Sequence, residues 1–479
     1  MSNVIIIGAG VAGLTAGIYA RLADHEVTIY EQGSTPGGLS TSWKRKGYHF
    51  EGGLHWLCGT SPQLVDLHDI WRTVDAVGEE DDAEYSDPVF ALRDGEGKLL
   101  PLWRDQRRLI AELAARSPKD RCRLRILGMD MTLFTAGFGP AKGICGTLSK
   151  ILLMIPFGIR LVWLMGVSTR QYCNHFRDTG IRGLIGTVVS GEQNALSLIY
   201  TLAAYSSGAS GYPKGGSLGM ARRMEQRFLS LGGTLHYRSA VSRVVVEQGS
   251  AVGVVVNGET VRGDEVIVTS DTRRAIDEFF DTPIQDWWAR RMRRGTCSEM
   301  CVFVCLGVHA DLSHYPHAIR FRMKVDLPGH NPEGEYVRLT NYAPQHNPGY
   351  APEGCSALTL LVDDDNHAFW QAAREEGSYA ERKQRFVEQA IAAIAEVMPE
   401  TAGCVEVTDM ATPVTYRRYC QGYDGGYMGV WRAWHLPPLV PATCHRIKHL
   451  HFAGHRTELN GGIPVAARPG RKAARAARG

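Results

Sequence analysis

The amino-acid sequence predicts an α/β protein: a domain wound from a parallel sheet around a glycine turn, with an inserted domain of antiparallel sheet and a helical cap. Three observations predict it. The chain opens on an apolar run, Val4-Ile-Ile-Ile7, that passes straight into glycines and then into the stripe Val11, Leu14, Ile18, Leu22. That is a strand buried on both faces leading into a helix packed on its sheet. Residues 298–365 and 405–432 alternate strand-like runs with Gly and Pro turns, the pattern of a second, antiparallel sheet. Residues 110–205 read as mainly helical and supply the cap.

In chain order, Glu26-Val-Thr-Ile-Tyr30 is the second strand and completes one βαβ unit. Residues 60–110 are mixed, with Glu79-Glu-Asp-Asp82 a solvated loop. Pro213-Lys-Gly-Gly-Ser217 opens a helix from about Leu218 to Leu231, which Gly232-Gly233 ends. Short strands are expected at Thr234–Tyr237, Ser242–Glu247 and Ala251–Asn257, and Asn257-Gly258 is a hairpin turn. Glu265-Val-Ile-Val-Thr269 is another buried strand, a helix covers about Tyr379 to Val397, and His449–Ala453 is a last short strand.

Composition narrows the function classes. A chain of 479 residues, 44% hydrophobic and 22% charged, is globular with a large core. A net charge of +3 gives no electrostatic footprint for nucleic acid. Of eleven Cys none forms a C-x-x-C pair, and Cys297, Cys301 and Cys305 sit in a strand-like run where Cys acts as a small hydrophobe. Reduced thiols, no metal site and a cytoplasmic setting are the expectation. No basic n-region precedes the first apolar run, so no signal peptide is expected. The apolar stretch Ile151–Val167 is broken by Pro156 and Arg160, and a spanning helix needs about 20 apolar residues. Two readings stay open for it, a buried helix pair and shallow contact with a membrane surface.

Gly8-Ala-Gly10-Val-Ala-Gly13 lies between the first strand and the first helix. Gly8 permits the tight turn, Gly10 lets the backbone approach a pyrophosphate, and Gly13 lets helix and strand pack closely. The helix start, with Val11 and Ala12, offers free N–H groups to phosphates. Glu31 ends the second strand 18 residues after Gly13, where a carboxylate accepts hydrogen bonds from ribose hydroxyls. It would repel a 2′-phosphate, and Gln32-Gly33 supplies no Arg to counter it, which argues against NADP.

FAD and NAD share this fingerprint. Pro36-Gly37-Gly38, Gly47 and Phe50-Glu-Gly-Gly53 follow closely, and further on come Pro213-Lys-Gly-Gly216, Gly232-Gly233 through Val244, and Thr412-Pro-Val-Thr-Tyr-Arg-Arg-Tyr419. Near its C-terminus the chain carries Phe452-Ala-Gly-His-Arg-Thr-Glu-Leu-Asn-Gly-Gly-Ile-Pro-Val-Ala-Ala467. With these motifs the sequence resembles the phytoene desaturase-like branch of the flavin amine-oxidoreductase superfamily, which includes carotenoid desaturases, carotenoid isomerases and retinol saturases. The resemblance implies a Rossmann-like FAD-binding domain of the GDI/amine-oxidase type made from residues 1–75, 205–295 and 440–479. Residues 76–204 and 296–439 would then form the inserted substrate domain with its helical cap. It also implies FAD as cofactor, with Gly37, Gly38 and Leu39 lining it, Val244 contacting the adenine end through its backbone, and Gly454, His455, Gly462 and Ile463 at the flavin. The family often has Arg where this chain has Leu39. Pro469 departs from the family's last helix and is expected to kink or restart it.

The implied chemistry is hydride transfer to or from flavin on a hydrophobic substrate, a polyene or isoprenoid among the candidates, by desaturation, saturation or isomerisation. His55 and Trp56 after the flavin loop, and His455, Arg456 and Glu458 beside the last motif, are the residues expected to face it. His55, Glu458 and Arg456 are the candidates for moving a proton. Two rival readings share the scaffold. One is an amine or amino-acid oxidase, whose aromatic pair could come from Tyr423, Tyr427 and Trp431. The other is a non-redox lipid escort of the GDP-dissociation-inhibitor type, against which the complete glycine turn and Glu31 argue.

Overall fold

The computed structural model describes residues 1–78, 83–138, 158–431, 440–458 and 462–477; the loop expected at 79–82 and residues 151–157 of the apolar stretch lie outside them. Five parallel strands form the first sheet, in the order Thr234–His236, Glu26–Tyr30, Asn3–Ile7, Glu265–Val268, Leu450–Phe452. Val4, Ile5 and Ile6 sit at its centre, wholly buried, because both neighbours in the sheet and helices on its faces cover them. The helix Val11–Arg21 packs on this sheet, and Gly17 brings it close to the helix Gly216–Ser230, since an added Cβ there would stand 2.9 Å from Phe228.

The C-terminal helix Pro464–Ala476 lies against Val11–Arg21. Gly470 sets that approach: an added Cβ would stand 2.5 Å from the Ala12 carbonyl oxygen. Of the expectation that Pro469 kinks or restarts this helix, the restart is corrected, because the helix runs through it with Pro469 buried. Packing on a partner helix outweighs the one missing N–H donor.

Seven strands make the second sheet: Val405–Ala411, Cys301–Val308, Ser356–Asp363, Glu335–Tyr342, Ala318–Met323, Phe90–Arg93 and Leu99–Leu102. The edge hairpin of Phe90–Arg93 and Leu99–Leu102 comes from a region whose sequence reads only as mixed, and its turn is Asp94-Gly-Glu-Gly97. Phe90–Arg93 runs parallel to Ala318–Met323, while the remaining pairs are antiparallel. One face carries Val302, Val304, Leu306, Ile319 and Phe321 and packs on the helices His367–Glu375 and Tyr379–Ala395. The other carries Phe303, Cys305, Tyr342 and Leu361 and joins the core of the parallel-sheet domain. Asn257 and Gly258 both have positive φ, 49° and 92°, and turn the hairpin between Ser250–Val256 and Glu259–Arg262.

Helices Gln106–Arg116, Arg121–Phe138, Thr179–Gly186 and Ala195–Ser206 bear out the helical reading of the cap. No helix among the described residues is long and apolar enough to cross a membrane.

Substituting Gly470→Val should force the C-terminal helix away from Ala12. Overpacking of this kind costs about 1–3 kcal/mol. A fall in the thermal midpoint by circular dichroism is the expected result; an unchanged midpoint would show that the two helices do not need this contact.

Candidate functional site

In an open parallel sheet, ligands bind beyond the carboxyl ends of the strands. Here those ends bring distant parts of the chain together. Gly8 follows Ile7 with φ +103°, and its N–H bonds the Tyr30 carbonyl at 2.8 Å. An added Cβ at Gly13 would stand 1.9 Å from the Gly8 carbonyl oxygen, so only glycine fits. Thr269, after the fourth strand, donates its hydroxyl to the Ile7 carbonyl at 2.7 Å and to that of Gly8 at 3.2 Å. Ala453, after the fifth, donates its N–H to the Val268 carbonyl at 3.0 Å. Gly454 (φ +142°) comes next, beside Thr269 and Ser270. The Gly8 turn and the Gly454 turn therefore meet across Thr269.

The cradle fits a dinucleotide. Gly10 is the N-cap of the helix Val11–Arg21 and no side chain caps it, so the first amides, from Val11 and Ala12 onward, stay available to phosphate oxygens. Gly10 pairs with Gly37 in an isolated parallel bridge, and an added Cβ at Gly10 would meet nothing closer than 3.9 Å, so the turn opens onto free space. Gly37 and Gly38 have positive φ, and Leu39 beside them is half-buried. The Glu31 carboxylate accepts the N–H of Ala9 and of Gly33, each at 2.7 Å, which fixes it at the strand end with lone pairs to spare for ribose hydroxyls. Gln32 turns outward and donates to the Tyr419 carbonyl at 2.9 Å.

The Val244 side chain is buried and its N–H bonds the Phe279 carbonyl at 2.9 Å, so that donor is already engaged. The chain passes Glu31 earlier, where Arg238 and Ser239 donate their N–H groups to the Gly33 and Glu31 carbonyls.

Arg456 is corrected. It is 1% exposed, and its Nε donates to both oxygens of Asp271 at 2.9 Å, its Nη1 to the Cys297 carbonyl at 3.1 Å and its Nη2 to Ser298 Oγ at 2.9 Å. Burial alone would raise the Asp271 carboxyl, but Arg456 beside it holds it below the usual carboxylate range. Asp271 also caps the helix Thr272–Glu278 and accepts the Tyr423 N–H at 3.1 Å. This pair clamps the last motif to the strand Thr296–Glu299 and leaves no free proton-moving group. Glu458 pairs with Lys472 of the C-terminal helix, a local ion pair. His455 keeps a buried Nε2 with no partner, and burial pushes its imidazole down to about 4 against the pull of Asp271. Gly462 (φ +113°) and Ile463 precede Pro464 at the start of the C-terminal helix.

His55 and Trp56 line a cavity of about 40 Å³, whose walls also include Phe90, Tyr205, His317 and Arg320. Just before them, at Gly53, an added Cβ would stand 2.2 Å from the Leu39 carbonyl oxygen. Burial pushes the His55 imidazole down to about 3, helped by Arg320, Arg338 and His317, and its Nδ1 is enclosed without a partner. Trp56 meets Tyr205 edge-on, ring centroids 5.4 Å apart.

Sequence reasoning passed over two other groups. Glu51 accepts the Tyr212 hydroxyl at 2.8 Å and the Ser217 N–H at 2.9 Å, tying Phe50-Glu-Gly-Gly53 to the helix that Pro213-Lys-Gly-Gly216 opens. Gly216 allows it, since an added Cβ would stand 2.3 Å from the Glu51 carboxylate. Glu299 is buried with Gln193 at 3.3 Å and the Tyr427 hydroxyl at 3.4 Å, and burial followed by Asp363 pushes its carboxyl up to about 7. Its signal was a carboxylate set next to an apolar strand run. Of the aromatics suggested for an oxidase pair, Trp431 is sealed in a core with Trp288 and Phe452, and Tyr423 lies under Arg273. Tyr427 sits 6.2 Å from Tyr416 at 46°, so these three aromatics are not seen stacked on one another. No group of three or more His, Cys, Asp or Glu among them is arranged to hold a metal ion.

Comparison with known proteins gives the following. Residues 6–71 match the family model described as NAD(P)-binding Rossmann-like domain, and residues 176–478 match that of flavin containing amine oxidoreductase. The chain is similar to a phytoene desaturase (neurosporene-forming) of Cereibacter sphaeroides, 23% identical over 96% of this chain and 91% of that protein. It is also similar to an all-trans-zeta-carotene desaturase of Myxococcus xanthus, 24% identical over 96% of this chain and 90% of that one. Among solved structures, putrescine oxidase bound to putrescine superposes with a TM-score of 0.65 at 16% identity, over 99% of this chain and 98% of that one, a likeness of fold.

The Glu299 carboxyl, ordinarily near 4.5 and here about 7, holds its proton more tightly when folded. Its contribution to stability is full below the ordinary value and is lost as pH rises through about 7. Glu299→Gln keeps the shape without that loss. The variant should melt with the wild type near pH 5 and above it near pH 8; parallel curves at both would refute the buried, protonated assignment.

Proposed function

The chain belongs to the flavin containing amine oxidoreductase family, and on that premise we propose that it is an FAD-dependent oxidoreductase acting on C–C bonds of an apolar, polyene-type substrate, by desaturation, saturation or isomerisation. The observation that carries the reading is the extent of similarity to the carotenoid desaturases, which covers 96% of the chain and so includes the inserted sheet and cap that would meet the substrate. FAD when bound supplies a ring that accepts or donates hydride.

The residues divide the remaining tasks. Gly8, Gly10 and Gly13 with the amides of Val11 and Ala12 hold the pyrophosphate, and Glu31 holds the ribose. Gly37, Gly38 and Leu39 line one side, while Gly454, His455, Gly462 and Ile463 close the other. The start of the helix Pro464–Ala476 favours negative charge near Ile463. Trp56, Phe90 and Tyr205 keep water from the substrate side. His55, neutral and with an unpartnered Nδ1, is the candidate to accept a proton.

An apolar substrate resides in lipid, and the cap offers a surface to reach it. Ile159 and Val162 are 80% and 63% exposed beside exposed Ile126 and Met129, which suits shallow seating on a bilayer.

The test is anaerobic mixing of the purified protein with phytoene in detergent micelles. Loss of the oxidised-flavin absorbance together with a product of longer conjugation is the expected outcome for desaturation. Bleaching of the flavin by a primary amine, with peroxide formed on admitting air and no response to the polyene, would contradict the reading.

A further inference from the structure

Arg320 stands in the middle of the strand Ala318–Met323, on the sheet face turned towards the cavity. It is 3% exposed, and its Nε and Nη1 are enclosed with no hydrogen-bond partner. Directly opposite in the register is Arg338. Two like charges facing each other across an antiparallel pair destabilise the sheet unless each finds a counter-charge. Arg338 has one, Asp363. Arg320 feels the same Asp363 charge only through space, Arg338 standing as the group that pairs with it, and itself has the face of the Phe90 ring, 4.8 Å from its guanidinium carbon. Burial, with Arg338 adding to it, pushes Arg320 down to about 9, so it stays a cation at neutral pH.

The surroundings do not neutralise it. Arg104, a second cation on the cavity wall, donates from its guanidinium to the carbonyls of Ser86, Tyr205 and Ser210, with Asp87 as the carboxylate near it. His55 and His317 on the same wall are neutral, pushed down by burial to about 3 and 4. The one carboxylate among the lining residues, Glu84, is drawn by Lys214 and His346. None of these lining residues belongs to the cradle of Gly8, Glu31, Gly37 and Gly454, so the missing counter-charge is not the pyrophosphate. A buried cation without an anion is strongly unfavourable, and a planar guanidinium matches a carboxylate with two parallel N–H bonds.

We propose that Arg320, with His55 beside it, is a specificity-determining site for the carboxylate of an otherwise apolar substrate: the molecule handled here is an apolar chain that ends in an acid. This rests on the reading of an apolar, polyene-type substrate given above. A cavity of about 40 Å³ has room for such a head group and not for a chain.

The test uses the full-length, flavin-loaded protein and two fluorescent probes, cis-parinaric acid, a conjugated tetraene carboxylate, and its methyl ester. A hydrogen-bonded charge pair of this kind corresponds to a preference for the acid of roughly 10- to 100-fold. Wild-type protein should show that preference. Arg320→Gln should bring the acid down to the affinity of the ester and leave the ester unchanged. Arg320→Lys, which keeps the charge, should retain part of the preference and serves if the Gln variant fails to hold flavin. Equal affinity of acid and ester for the wild type, or a preference that survives in Arg320→Gln, would overturn the anion site while keeping the apolar-chain reading. Binding of neither probe would overturn that reading and the proposal with it.

Discussion

The structure depends on one close approach: the chain's first strand and its last must lie in the same sheet so that two backbone turns meet over Thr269. The Thr269 hydroxyl reaches the Gly8 carbonyl, and Gly454 lies against the Thr269 and Ser270 carbonyls. Neither turn can carry a side chain there without strain or collision, since Gly8 and Gly454 both have positive φ and Gly13 abuts Gly8. The sheet order explains how some 440 intervening residues are accommodated. The strand Glu265–Val268 inserts between Asn3–Ile7 and Leu450–Phe452, and the antiparallel domain is looped out on both sides of it. The buried pair of Arg456 and Asp271 then fixes the last motif to the start of that inserted domain. A pair so enclosed contributes more to registry than to net stability, because desolvation offsets much of its attraction.

The second sheet works by a division of faces. Its far face is mainly apolar and rests on two helices. Its near face mixes Phe303 and Leu361 with Arg320, Arg338 and Thr340, and so trades burial of apolar area for polar groups held in place. Such groups destabilise an empty core, and a fold retains them where a ligand completes their bonding.

Much of the cradle was legible in the sequence because it is local. Gly8-Ala-Gly10-Val-Ala-Gly13 and Glu31 are read within one βαβ unit, where spacing alone places turn, helix start and strand end. Gly37, Gly38 and the C-terminal turn were legible only through resemblance, and the structure brings them to the same place. The cavity was not legible, because its walls come from strands far apart in sequence. Arg320 looks like an ordinary outward residue in Ala-Ile-Arg-Phe until register shows Arg338 opposite and burial leaves its Nε and Nη1 without a hydrogen-bond partner. Arg456 failed in the other sense. A charged residue next to a cofactor motif suggests chemistry, and only the fold reveals that Asp271 is its partner 185 positions away.

The central claim, a flavin site assembled from both ends of the chain, is tested most directly by hydrogen–deuterium exchange on the apo-protein with and without added FAD. The account predicts that FAD slows exchange together at the amides following Gly8 and at those following Ala453. Protection confined to the N-terminal turn, with the C-terminal motif unaffected, would contradict it.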